Sequence, residues 1–149
     1  VCVLAPWVFA GYWHNEEATR AAFLNGWFRM GDVGRIDEEG YVYILDRKND
    51  LIITGGENVY PSEVEAALLS HPEIEEAGVV GVPDIEWGEK VKAFVVLKDG
   101  SRLGPKDVTD FCRGRLGGHK CPREVQFVRE LPKNSVGKVL RRKLRESQA

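Results

Sequence analysis

Two apolar runs, residues 77–82 and 91–97, constrain this chain more than any other feature. Each falls far short of the roughly 20 apolar residues a membrane helix needs. Short valine-rich runs bounded by turn-forming residues read as strands. The connection between them holds Pro83, Asp84, Trp87 and Gly88. A regular alternation surrounds the pair. Residues 51–54 read as a strand, broken by Gly55-Gly56. Val64, Ala67 and Leu68 stand at i, i+3 and i+4, the stripe of an amphipathic helix. That helix begins either with a capping box from Ser62 to Glu65 or with Pro61 as its first residue. Pro72 closes it. Val108, Phe111, Cys112 and Leu116 mark a second helix face, ended by Gly117-Gly118. Residues 125–128 read as a further strand and 139–146 as a basic terminal helix. Strand, helix, strand, strand, helix, strand predicts an α+β domain, a short and mostly antiparallel sheet flanked by helices.

The stretch before Leu51 is of another kind. Residues 1–4 read as a strand that Pro6 ends. Trp7, Phe9, Tyr12 and Trp13 then crowd into seven residues. Asn15 is placed to cap a short helix over 16–23, with Glu16 and Glu17 in its first turn and Gly26 as its stop. A hairpin follows, with strands at 34–36 and 41–45 joined through Asp37-Glu38-Glu39-Gly40. The charged stretch from Asp46 to Asp50 reads as a boundary. So many aromatics on so little structure imply burial, against the rest of the chain or against sequence absent from it.

A length of 149 residues, with 43% hydrophobic and 30% charged, suits one modest domain. It excludes collagen, coiled coil and wholesale disorder. The start lacks the features of a secretory signal, and it lacks an initiator Met, which suggests a piece of something longer. Cys2, Cys112 and Cys121 form neither a metal motif nor a disulfide framework, so a reducing cytoplasm is expected. The net charge of −2 hides an asymmetry: 8 Lys+Arg against 18 Asp+Glu in residues 1–100, then 13 against 5. Either the basic end faces a polyanion, or the two parts neutralise each other.

Four places carry possible chemistry. Lys138 follows Gly137 on a polar loop that begins at Pro132; there a lysine can swing onto oxygens that gain charge in a transition state, or simply be solvated. The spacing of a P-loop is absent. Asp32, after Gly31, can take two ribose hydroxyls or form a turn. Gly55-Gly56 permits close approach by a ligand or makes a turn. Trp87, with His119, Lys120 and Arg123, offers an aromatic face and a basic cluster, suited to an adenine ring and phosphates or to rim packing. His14, His71 and His119 lack metal-ligand spacing, and no metal site is expected in the chain.

The order of these segments is more specific than any one of them. Gly26-Trp27-Phe28-Arg29-Met30-Gly31-Asp32, then Asp46-Arg47-Lys48-Asn49-Asp50, then Gly55-Gly56-Glu57-Asn58-Val59-Tyr60-Pro61, then the stretch from Pro132 to Lys138, resemble the last third of AMP-forming acyl-CoA synthetases. These belong to the adenylate-forming superfamily, together with peptide-synthetase adenylation domains and luciferases. The resemblance implies two half-reactions: an acid and ATP give acyl-adenylate, and coenzyme A then displaces AMP. It implies that residues 1–48 end a large adenylation domain and that 49–149 form the small mobile domain. Asp32 and Arg47 match nucleotide-binding positions, and Lys138 matches the lysine of adenylation. Asn49 stands at the hinge, where Asp or Lys is usual. Met30 stands where Thr is usual. Gly55 and Gly56 match the lining of the pantetheine channel; Trp87, His119, Lys120 and Arg123 match positions near the CoA nucleotide.

The implied partners are a carboxylic acid, ATP with Mg2+ held by residues outside the chain, and CoA, with neither nucleic acid nor an integral membrane segment. The chain alone is expected to be inactive and to self-associate. The Asn58-Val59-Tyr60-Pro61 run favours a fatty or small-acid CoA ligase. An amino-acid-activating domain, a luciferase-like enzyme and a non-catalytic module are the alternatives.

Overall fold

The structure, a computed structural model, describes residues 1–147. The chain divides into two compact units between Asn49 and Asp50.

The first unit holds β1 (Cys2–Val3), α1 (Glu16–Ala22), β2 (Phe23–Leu24), β3 (Trp27–Arg29), β4 (Asp32–Ile36) and β5 (Val42–Arg47). Its three-stranded antiparallel sheet has the order β1-β3-β2, and β4 pairs with β5 as a hairpin. Asn15 caps α1, its side-chain oxygen accepting from the Ala18 N–H at 2.9 Å. The helix stop expected at Gly26 is corrected. The helix ends at Ala22, and Asn25 and Gly26, with φ of 49° and 83°, make the tight turn between β2 and β3. Phe9 packs on Tyr12, Phe23 and Phe28, with ring centroids 5.1, 5.7 and 4.9 Å away. Trp7 and Trp13 remain 82% and 88% exposed.

A short 3-10 turn, Lys48–Asp50, spans the division. The second unit then runs β6 (Ile52–Thr54), β7 (Glu57–Val59), α2 (Pro61–Leu69), β8 (Ile74–Asp84), β9 (Gly88–Leu97), α3 (Pro105–Arg113), β10 (Glu124–Phe127) and α4 (Arg141–Glu146). β8 and β9 form a long antiparallel ladder from Ile74↔Leu97 to Asp84↔Gly88. β10 joins β9 in parallel, and β6 and β7 form a small hairpin at its start.

Both faces of the β8–β9 ladder are covered. Val79, Ala93 and Val95 pack with Val64, Leu68, Val108 and Cys112, which come from α2 and α3. Their sequence neighbours Val80, Phe94 and Val96 face the other way, onto Leu131 and Leu144. A strand buried on both faces needs apolar residues at every position, which explains runs rather than alternation. Burial lifts the Cys112 thiol to about 11, leaving it inert near neutral pH. Pro61 is the first residue of α2, with Tyr60 before it and no side-chain cap, so the capping-box alternative is set aside. α4 begins at Arg141, two residues later than read, because Val139 instead bridges Lys133.

Candidate functional site

The first unit brings Asp32 and Arg47 face to face across the β4–β5 hairpin. The guanidinium Nε lies 2.9 Å from Asp32 Oδ1, and Nη1 donates to the Met30 carbonyl at 3.0 Å. Asp32 is 11% exposed and Arg47 is 53% exposed. Gly31, Asp32, Lys48 and Asn49 help to line an open groove of about 370 Å3. A carboxylate offers about four lone-pair sites. One guanidinium therefore leaves it capacity for a pair of vicinal hydroxyls. Asn49 sits in the middle of the 3-10 turn.

In the second unit Lys138 lies on the loop read from the sequence, which closes on itself between Lys133 and Val139. Asn134 N donates to the Lys138 carbonyl at 2.9 Å and Gly137 N donates to the Asn134 carbonyl at 3.0 Å. The Asn134 side-chain oxygen accepts from the N–H groups of Val136 and Lys138 at 3.1 and 2.8 Å. Leu140 N closes the base onto the Pro132 carbonyl at 2.7 Å, and Lys133 pairs with Glu76 on β8. The backbone is fixed, and the Lys138 side chain is exposed with no ion-pair partner among the described residues. An Asn that caps its own turn, followed by a Gly in the left-handed region, was the available signal.

Gly55, Trp87 and Arg123 come together elsewhere on this unit. Gly55 N donates to the Trp87 carbonyl at 2.9 Å. A Cβ at Gly55 would stand 2.8 Å from the indole, and its φ of +57° already disfavours a side chain. The Arg123 guanidinium lies 4.1 Å from the centre of the indole ring. Gly56 is open, with nothing near its missing Cβ. Lys120 is taken up by Glu63 of α2, at 2.7 and 2.9 Å. His119 is exposed on the short turn Gly118–Lys120.

Sequence reasoning missed a second cluster behind the Lys138 hairpin. Arg141 and Arg145 bind Asp50 and Glu65, which stand 76 to 95 positions away in sequence. No local pattern marks partners so far apart. No group of three or more His, Cys, Asp or Glu among the described residues could hold a metal.

The small α+β unit, its sheet covered on both faces, has known relatives. A model of the AMP-binding enzyme C-terminal domain matches residues 63–138, and the chain belongs to that family. Its fold is that of the C-terminal domain of adenylate-forming enzymes. The chain is 52% identical over 145 residues to a 2-succinylbenzoate–CoA ligase of Geobacillus kaustophilus, covering 97% of this chain and 30% of that protein. It is 50% identical over 148 residues to a long-chain-fatty-acid–CoA ligase of Bacillus subtilis, covering 99% of this chain and 26% of that protein. Among solved structures it is similar to the o-succinylbenzoate CoA synthetase of Bacillus subtilis in complex with its acyl-adenylate intermediate. That match has a TM-score of 0.90 and 45% identity, over 96% of this chain and 29% of that one. The chain thus spans about 30% of the length of the curated relatives it matches.

Proposed function

We propose that this chain is the C-terminal part of an ATP-dependent, AMP-forming acid–CoA ligase. In the first half-reaction a substrate carboxylate oxygen attacks the α-phosphorus of ATP, and pyrophosphate leaves with the electron pair of the broken P–O bond. In the second, the CoA sulfur attacks the acyl carbon, loses its proton and expels AMP. Asp32 takes the ribose hydroxyls, with Arg47 holding its orientation. Lys138 supplies positive charge to the oxygens where negative charge gathers during adenylation. Residues 1–48 would end the large domain and 49–149 form the small one, with Asn49 as hinge. The Mg2+ that accompanies ATP is assigned no residue in this chain. Cytoplasm is the compartment this function implies. Among the described residues no helix is long and apolar enough to cross a membrane.

One observation carries the proposal: an exposed lysine, without an ion-pair partner among the described residues, on a turn held by four hydrogen bonds. A merely solvated lysine needs no such support. Acid-dependent exchange of pyrophosphate into ATP by the full-length protein, followed by CoA-dependent release of AMP, tests it. Absence of exchange with every carboxylic acid offered would overturn it.

The Gly55, Trp87 and Arg123 cluster, with Gly56 and His119 on the exposed surface of the same unit, supports a CoA site. A stacked indole and a guanidinium suit an adenine and its phosphates. Lys120 would reach a phosphate only by leaving Glu63. Gly55→Ala must displace the indole, so the KM for CoA is expected to rise about tenfold, equivalent to 1.4 kcal/mol. Adenylation should be unchanged. Half-reaction kinetics check this, and an unaltered KM for CoA would refute the placement.

The isolated chain is expected to self-associate through Leu4, Trp7 and Trp13, which are 61%, 82% and 88% exposed. Burying one such side chain is worth about 1.5–3 kcal/mol. Sedimentation at micromolar concentration should show oligomers that disappear when residues 1–13 are removed. A monomer indifferent to that deletion would show the surface to be inert.

A further inference from the structure

The Lys138 hairpin has only two residues, Val139 and Leu140, between its lysine and α4. α4 is six residues long, too short to be stable without tertiary support. An apolar and an ionic anchorage support it. Leu144 is buried in the smaller core, over Gly78, where a Cβ would lie 2.9 Å from its methyl. The second anchorage is ionic. Arg141 binds Glu65 through two nitrogens, Nε at 3.1 Å and Nη2 at 2.7 Å, and Asp50 through Nη1 at 3.1 Å. Arg145 reaches the other oxygen of Asp50 at 3.1 Å. Glu65 also accepts the Val79 N–H at 2.9 Å, which seats it on β8. Asp50, Glu65 and Arg141 are 21%, 16% and 14% exposed, so the cluster is largely shielded from water.

We propose that Asp50 and Glu65 are positioning residues for Lys138. Through Arg141 and Arg145 they clamp the helix behind the Lys138 hairpin to the residue that follows the hinge position. Rotation at Asn49 then moves the lysine as part of a stiff lever. Forked arginine–carboxylate pairs fix direction as well as distance, which a single apolar anchor such as Leu144 does not. The Gly55–Trp87 face has a different anchorage. It continues from Asp50 directly through the backbone of β6, without passing through α4. Loosening the clamp should therefore impair the half-reaction that uses Lys138 and spare the one that uses CoA.

The proposal rests on the ligase function above, and the test separates the two. In the full-length protein, Asp50→Asn and Arg145→Gln are compared with Lys138→Ala. The measurements are acid-dependent pyrophosphate release, thioester formation from supplied acyl-adenylate, and thermal midpoint. Arg145 is the most exposed member, at 34%, and gives a soluble variant if Asp50→Asn does not fold. Misplacing a catalytic group by about 1 Å costs up to about 100-fold, so the kcat of adenylation is expected to fall about 10- to 100-fold. Thioester formation should remain within about twofold, because its transition state makes no contact with this group. Equal losses in both half-reactions would mark a purely structural role and overturn the proposal, as would adenylation unchanged in both variants. If the parent protein shows no acid-dependent pyrophosphate release, the ligase function fails; if Lys138→Ala leaves adenylation intact, the role given to Lys138 fails and the lever with it. If only Lys138→Ala is impaired, the lever alone is refuted.

Discussion

In the full-length protein, Lys138→Ala is expected to lower acyl-adenylate formation by about 10²–10³-fold, roughly 2.7–4 kcal/mol of transition-state stabilisation. The hairpin explains why the loss should be that large. Its backbone is closed at Asn134 and at Leu140, so only the side chain would remain to be ordered when the ammonium meets the reacting oxygens. A preorganised charge acts at nearly its full strength, whereas a lysine on a loose loop must first be ordered. Thioester formation from supplied acyl-adenylate should be far less affected. Parallel loss in the two steps, measured by single-turnover assays, would remove Lys138 from its role.

The second large effect concerns Asn49. The residue lies within the 3-10 turn Lys48–Asp50, where negative φ values in the helical range are the rule. The proline ring locks φ, so Asn49→Pro is expected to resist a backbone swing at this position. One half-reaction should survive and the other fall, changing the ratio of their rates by about 10²-fold. Measuring both rates on one preparation gives the answer directly. A ratio equal to that of the parent would place the swing at another residue.

The second unit was readable because its signals are local. The runs at 77–82 and 91–97 lie within β8 and β9, and the stripe of Val64, Ala67 and Leu68 became α2. Boundaries were less legible. β10 and α4 shift by one or two residues, since their limits depend on pairing with β9 and on the bridge at Val139. Asn25-Gly26 carried a hairpin signal, but the helix-like residues before it suggested a helix stop. β7 was overlooked because Glu57 and Asn58 are polar, and its strand exists only by pairing with β6. At the site, Trp87 and Arg123 lie together as one candidate had grouped them, and Gly55, read separately, backs the indole. Lys120 is held by Glu63, a partner 57 positions away that no window of sequence could supply. The Asp50–Glu65–Arg141–Arg145 cluster was invisible for the same reason.

The two-sided packing of the β8–β9 ladder bears on how such a unit can change over generations. Its larger core seats α2 and α3, and its smaller core seats Leu131 and α4, with one layer of strands between them. Substitutions without shared neighbours combine almost independently. Drift among the residues beneath α3 can therefore leave the packing of Leu131 and Leu144 unchanged, whereas α2 is tied to α4 through Glu65 and Arg141. A lineage can repack the side that carries α3 and inherit the seat of Leu131 and α4 intact.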